Sequence, residues 1–293
     1  MLLPKFDYHE PVTLDEACQI MAELGEDARP LAGGTDLIVN MKKKVLSPKH
    51  LVSLGRIGDL RNIDSANGVL KIGASVSVAQ ISESDEIKDS FSALHEGALN
   101  LGSPLIRNLA TIAGNIVSAR PAADLPPPLM VHGAKVVLKS TSGERAVALE
   151  NFFKGPGQTV IAANEILKEV VVLKPEPHSG GAYIKLGIRK ALEISLVNVA
   201  AFVCLDSADG PIKSARIVIG SVAPTPLISP AAEKVLVGEI PSEALFVRAG
   251  EAAALDSRPI DDFRASAQYK RAMVEVLTKR ALNMAMSKAR ETD

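Results

Sequence analysis

What most limits the folds open to this chain is a stretch that can be neither helix nor interior strand. Lys174-Pro175-Glu176-Pro177-His178-Ser179-Gly180-Gly181 places two prolines and two glycines in eight residues, which removes main-chain donors and favours irregular backbone. It reads as a linker. A chain of 293 residues has room for two domains of ordinary size, and the linker divides it into residues 1–176 and 177–293. Hydrophobic residues make up 47% of the chain, enough for each part to bury a core and to exclude a disordered or collagen-like chain.

Within the first part, Thr13-Leu14-Asp15-Glu16 fits a capping box, with Thr13 closing the N-terminus of a helix and Glu16 reaching back. Leu14, Ala17, Cys18, Met21 and Leu24 follow at helical spacing, which gives Cys18 a core position. Strands are expected near Leu51–Leu54, Val69–Ala74, Lys135–Lys139 and Ile166–Leu173, and helices near Val78–Ser82 and Ile87–Leu101. Beyond the linker, Tyr183–Ile188, Leu196–Leu205 and Ile212–Gly220 read as strands. Two or three helices close the chain. The last, from about Arg264, carries Tyr269, Met273, Val276, Leu277, Ala281 and Met284 on one face. The fold class is α+β, a larger domain followed by a smaller sheet-plus-helices domain.

Several function classes lose support. Lys and Arg number 33 against 34 Asp and Glu, so no general field draws nucleic acid or an anionic membrane. The longest apolar run, Ser195 to Leu205, is interrupted by Asn198 and is too short to span a bilayer. Met1-Leu2-Leu3-Pro4-Lys5-Phe6-Asp7 lacks the basic and apolar segments of a secretory signal. The two cysteines, Cys18 and Cys204, provide no disulfide framework, and the chain reads as cytoplasmic. There is no CxxC, HExxH or His-x-His, and His9, His50, His95, His132 and His178 are scattered singly. Metal and iron–sulfur ligation by this chain is therefore not expected. GxSxG, GxxxxGK(S/T) and GxGxxG are also missing. Lys42-Lys43-Lys44 reads as an exposed basic patch.

Two segments carry chemistry. In Pro30-Leu31-Ala32-Gly33-Gly34-Thr35-Asp36-Leu37, paired glycines permit positive φ and let main-chain N–H groups converge on one concavity. Such a nest holds a diphosphate without lysine, and the Thr35 hydroxyl is a further donor. The second segment is Ala110-Thr111-Ile112-Ala113-Gly114-Asn115-Ile116-Val117-Ser118-Ala119, followed by Arg120-Pro121-Ala122-Ala123-Asp124. Its small residues admit close main-chain approach in a Pro-punctuated loop, and Asn115 and Asp124 supply directed hydrogen bonds. The two segments read either as the clamps of an extended nucleotide cofactor or as two independent turns.

These residues resemble the FAD-binding medium subunit of molybdenum hydroxylases, the family of xanthine dehydrogenase, carbon monoxide dehydrogenase and hydroxybenzoyl-CoA reductase. The first segment is similar to the family's AGGT/S-D/E-L pattern through Ala32, Gly33, Gly34, Thr35, Asp36 and Leu37. The second is similar to T-I-G-G-N-I through Thr111, Ile112, Gly114, Asn115 and Ile116, with Ala113 in place of a glycine. Asn151-Phe152-Phe153-Lys154-Gly155 with Thr159, then Glu165-Ile166-Leu167, resemble a further stretch. So do Tyr183-Ile184-Lys185-Leu186 with Arg189, and Glu193-Ile194-Ser195-Leu196-Val197-Asn198-Val199-Ala200, where Glu193 stands for a commoner Asp. Gly220 to Pro226 and Tyr269-Lys270-Arg271 resemble later landmarks.

The resemblance implies a two-part FAD-binding domain of the vanillyl-alcohol oxidase (PCMH) type over residues 1–176 and a CO dehydrogenase flavoprotein-like C-terminal domain over 177–293. It implies FAD contacts at Leu31 to Leu37, at Ala110, Thr111, Ala113, Gly114, Asn115, Val117 and Ser118, and at Asp124. Leu101 and Gly102 would flank the adenine, and Leu167 and Lys185 would border the flavin ring. Neither His nor Cys occurs in these loops, so the FAD is expected to be non-covalent. Phe152, Phe153 and Tyr183 are candidates to cover the flavin ring, with core packing the favoured reading of all three. The implied function is electron transfer from a small iron–sulfur subunit through FAD to an external acceptor. The molybdenum cofactor and the 2Fe-2S clusters are expected only in the large and small partner subunits. No catalytic acid or base and no metal ligand is expected in this chain. Rival readings are a self-sufficient FAD-dependent reductase of the same fold and a non-enzymatic module for another diphosphate ligand.

Overall fold

A computed structural model describes residues 2–189 and 191–291. Met1, the first residue of the segment read as leaderless, lies outside them. Strand β1 (Asp7–His9) leads to helix α1 (Leu14–Leu24). Thr13 Oγ1 accepts the Glu16 amide at 3.2 Å, and Glu16 accepts the amide of Val12, one residue before the cap, at 2.9 Å. The cap is present with the reciprocal bond shifted by one position. Cys18 is buried in the core, as its spacing predicts. Strand β2 (Ala28–Leu31), helix α2 (Leu37–Lys42) and strand β3 (His50–Ser53) follow. Strands β1, β3 and β2 form a parallel sheet with β3 in the middle. Strands of three or four residues leave little readable period, and neither β1 nor β2 is expected from the sequence.

Next come β4 (Ile63–Ala66), β5 (Val69–Gly73) and a helical layer: α3 (Val78–Glu83), α4 (Asp85–Ser90), α5 (Ser92–Asn100), α6 (Pro104–Arg107), α7 (Ile112–Val117) and α8 (Pro126–Val131). The single helix expected over residues 87–101 is two. Phe91 leaves helical backbone, at φ −132° and ψ 50°, and its ring is buried in the core. Strands β6 (Lys135–Ser140) and β7 (Gly143–Ala148), the ribbon β8 (Phe153–Gly155) and β9 (Gln158–Thr159), and β10 (Ile166–Leu173) complete this part. The second sheet is antiparallel, in the order β4-β5-β10-β6-β7.

The third sheet is an antiparallel meander of β11 (Ser179–Leu186), β12 (Val197–Leu205), β13 (Ile212–Gly220) and β14 (Leu227–Ile228). Helices α9 (Pro230–Leu236), α10 (Glu243–Asp256) and α11 (Ala267–Glu291) cover it. The α+β class and the two-domain architecture stand, with 38% helix and 26% strand. Two sequence readings are corrected here. Ser179, Gly180 and Gly181 are strand and not linker. A Cβ on Gly180 would collide with the Ala285 carbonyl and lie 2.6 Å from the Ala289 nitrogen, so this glycine lets β11 rest on the backbone of α11. The buried face of α11 is also rotated from the expected one. Val274, Leu277, Ala281, Ala285 and Ala289 face the core, while Tyr269 and Met284 are 46% and 39% exposed. Alanines allow the close approach, and the larger residues are displaced outward.

One face of the meander belongs to the first domain's core. Tyr183, Ala200 and Val218 pack there, while Val199, Ala201 and Val203 join the second core with α10 and α11. His132, at the end of α8, lies at this junction. Its ring sits edge-on between Phe91 and Phe202, at centroid distances of 5.3 and 5.1 Å. Its Nε2 is buried without a partner among the described residues, and burial lowers its pKa to about 4. The unfolded chain takes up this proton near pH 6.5, whereas the folded chain resists until near pH 4. Stability from this residue is therefore complete above the higher value and is lost as pH falls between the two, by up to about 3 kcal/mol. His132→Phe fills the same slot without a proton to gain. Urea unfolding from pH 7 down to pH 4 is expected to show wild type losing stability relative to the variant, and parallel curves would contradict the assignment.

Candidate functional site

Strand β2 ends at Leu31 and releases the chain into Ala32-Gly33-Gly34-Thr35-Asp36 before α2 begins at Leu37. Gly34 has φ +71°, the left-handed backbone that the paired glycines permit. Gly33 is held by close approach instead. A Cβ there would overlap the Leu109 carbonyl and lie 3.1 Å from the Ala110 Cα. The first segment thus rests directly on the residues that open the second. The amides of Gly33, Gly34 and Thr35 donate to no other described residue. This leaves a half-buried run of three consecutive unpaired donors, a feature that suits an anionic ligand. Asp36 is exposed, and its carboxylate does not cap α2.

The second segment is not the loop expected from its composition. Thr111 caps α7 by accepting the Gly114 amide at 3.1 Å. The amides of Ile112 and Ala113 donate to the carbonyls of Val76 and Ala74, at 3.0 and 3.3 Å. Its first donors are consumed, so what it presents is the exposed surface of Gly114 and the half-buried side chains of Asn115, Val117 and Ser118. Ala113 sits in helical backbone, where a methyl is tolerated. Asn115 Oδ1 accepts the Leu125 amide at 3.2 Å, and the Ser118 hydroxyl donates to the Asn115 carbonyl at 2.9 Å. Leu167, in β10, is buried in the core that includes Ala110 and Ala113.

Asp124, next to the Leu125 anchor, is the meeting point of the two domains. Its Oδ2 receives the Lys185 ammonium at 2.8 Å, and both side chains are 8% exposed. Its Oδ1 receives the Tyr183 hydroxyl at 2.7 Å and the Ser195 hydroxyl at 3.5 Å. The Asn198 amide donates to Ser195 Oγ at 3.3 Å. Burial pushes the Asp124 carboxyl above its usual range, against the opposing pull of Lys185, Tyr183 and Ser195. Burial, and then the neighbouring carboxylate, hold the Tyr183 phenol well above 10, so it remains a donor. Lys185 also reaches the Asn100 carbonyl at 3.1 Å, just before Leu101. The Gly102 carbonyl accepts the Leu192 amide at 3.1 Å. A cavity of about 520 Å³ opens here, with Lys185, Tyr183, Asn100 and Arg280 on its walls.

Tyr183, Ser195, Asn198 and Asn100 were not legible as site residues. The signal available was Asn198, an amide at the centre of the most apolar run in the chain, which a buried partner had to satisfy.

Residues 4–175 match the description of the FAD binding domain in molybdopterin dehydrogenase, and residues 182–285 match the CO dehydrogenase flavoprotein C-terminal domain. The chain belongs to the FAD-binding medium subunits of the molybdenum hydroxylases. The carbon monoxide dehydrogenase medium chain of Afipia carboxidovorans is 34% identical, over 99% of this chain and 100% of that one. The xanthine dehydrogenase FAD-binding subunit of Escherichia coli is 30% identical, over 96% of each chain. A structure of carbon monoxide dehydrogenase from Hydrogenophaga pseudoflava superposes with a TM-score of 0.94 at 33% identity, over 98% of this chain and 99% of that chain. This medium subunit is therefore part of an oxidoreductase and carries an FAD-binding domain. The glycine cradle at Gly33 and Gly34, with its free amides, fits a flavin dinucleotide's diphosphate chemically.

Proposed function

We propose that this medium subunit binds one FAD non-covalently and relays electrons from a small iron–sulfur subunit to an external acceptor, beside a large molybdenum-cofactor subunit. The observation that supports this most is the seating of Gly33 on Leu109 and Ala110. It joins the unpaired amides of one segment to the surface of the other. The residues that would hold the cofactor are Leu31 to Leu37, Leu101, Gly102, Ala110, Thr111, Ala113, Gly114, Asn115, Val117, Ser118, Asp124, Leu167 and Lys185. FAD supplies reversible storage of electrons when bound. The protein's part is to hold it: main-chain amides at residues 33–35, small residues that admit close approach, and a paired carboxylate and ammonium at the domain junction. In this reading the metal centres belong to the partner subunits, as the family membership implies. No described helix is long and apolar enough to cross a membrane, and a cytoplasmic location goes with this reading.

The test compares the isolated FAD-loaded chain with the reconstituted assembly. The isolated chain is expected to accept electrons from dithionite and pass them to a dye, yet to leave the assembly's substrate untouched. Substrate oxidation by the isolated chain at the assembly's rate would replace this reading with a self-sufficient reductase.

A further inference from the structure

The junction between the domains spends polar groups where packing alone does not ask for them. Ser195 and Asn198 are fully buried and Tyr183 is 2% exposed; Tyr183 and Ser195 bond Asp124 directly, and Asn198 reaches it through Ser195. A buried ion pair seldom stabilises a fold more than apolar residues of the same volume do. The arrangement is also directional. Asn198 stands opposite Lys185 in the strand register, and its amide gives Ser195 Oγ a donor, which leaves the Ser195 proton for Asp124. Tyr183 and Ser195 thus occupy one carboxylate oxygen, and Lys185 has the other.

We propose that Tyr183 and Ser195 are positioning residues that keep the Asp124 carboxylate ionised and aimed at Lys185, and that the pair so held sets the midpoint potential of the bound flavin. The proposal rests on the FAD-binding reading above. The physical argument concerns how charge is shared. Hydrogen bonds to Oδ1 draw negative charge away from the oxygen that faces the ammonium, so the field of Lys185 is less fully cancelled. Lys185 and Tyr183 both line the cavity at the junction. A group that gains electrons beside an uncancelled cation in a poorly solvated place is stabilised by it. Without the phenol, the carboxylate's charge concentrates on Lys185, and the reduced cofactor loses that support. A carboxylate deprived of its donor also takes up a proton more readily.

The experiment is redox titration of the FAD-loaded full chain, wild type and Tyr183→Phe, across neutral and mildly alkaline pH, with FAD content measured alongside. Phenylalanine keeps the buried ring. The variant is expected to retain FAD while its binding of reduced relative to oxidised flavin weakens about tenfold at alkaline pH, a shift of ~30 mV for a two-electron couple. The inflection that protonation of Asp124 puts in the plot of potential against pH is expected to lie at higher pH in the variant than in wild type. Ser195→Ala is expected to shift the potential the same way by less, because its bond is long at 3.5 Å, and it serves as the test if Tyr183→Phe does not fold. Wild-type potentials and pH profiles in FAD-replete variants overturn this proposal alone. A folded wild-type chain that takes up no FAD overturns the FAD-binding reading, and this proposal with it.

Discussion

Gly33→Ala is expected to abolish FAD retention and to destabilise the first domain. The added methyl would meet the Leu109 carbonyl and the Ala110 Cα, both main-chain atoms that cannot rotate away. Overpacking of this kind costs roughly 1–3 kcal/mol where side chains can yield, and a backbone obstacle places this case at the upper end. The strain is relieved only by lifting the segment 32–36 off Leu109 and Ala110, which separates the amide cradle from α7. A loss of about 3 kcal/mol in binding corresponds to more than a hundredfold weaker FAD affinity. Gly34→Ala is the informative comparison. Its methyl meets only side-chain atoms of Ile38 and Leu31, at 3.1 and 3.3 Å, so the chief cost is the left-handed backbone, roughly 1–2 kcal/mol. Flavin absorbance per chain after desalting is expected to rank wild type, Gly34→Ala, Gly33→Ala in descending order. Full FAD content in Gly33→Ala would show that the contact with Leu109 has no part in binding.

Lys185→Met is expected to be the most destabilising single change at the domain junction. It leaves Asp124 with 8% of its side chain exposed and without its cation, and breaking a buried pair on one side costs about 3–5 kcal/mol. The sign with pH follows from the carboxyl. Burial already raises its pKa, and losing Lys185 raises it further. A carboxyl with a folded-state pKa above its unfolded value favours the folded state in acid and loses that advantage as pH rises through the folded value. The gap between wild type and Lys185→Met in urea unfolding is therefore expected to be largest at neutral and alkaline pH and to narrow in acid. Combining Lys185→Met with Asp124→Asn removes the orphaned charge and is expected to recover most of the loss. A double variant no better than the single would place the damage in lost packing by the lysine stem.

The sequence was most readable where an element is a continuous run of strand-forming residues or carries its own cap. β10 and β13 occupy the ranges expected for them, and Thr13 caps α1. It was least readable where a residue answers to a distant partner. Gly180 looks like a linker residue until α11 arrives against it, and nothing within eight residues of it records that contact. The parallel sheet of β1, β3 and β2 depends on pairings between strands of three or four residues. The site divides in the same way. The glycine segment announces itself by composition, whereas α7 is hidden because Thr-Ile-Ala-Gly-Asn satisfies both a turn and a capped helix. The partners of Asp124 lie 59 to 71 residues away, and no local pattern joins them.

The most direct measurement is of flavin in the purified chain before and after acid denaturation. The account predicts one FAD per folded chain, released into the supernatant with its AMP half intact and leaving a colourless peptide. Flavin that stays attached to the peptide, or a well-folded chain that is colourless from the start and takes up no added FAD, would contradict it.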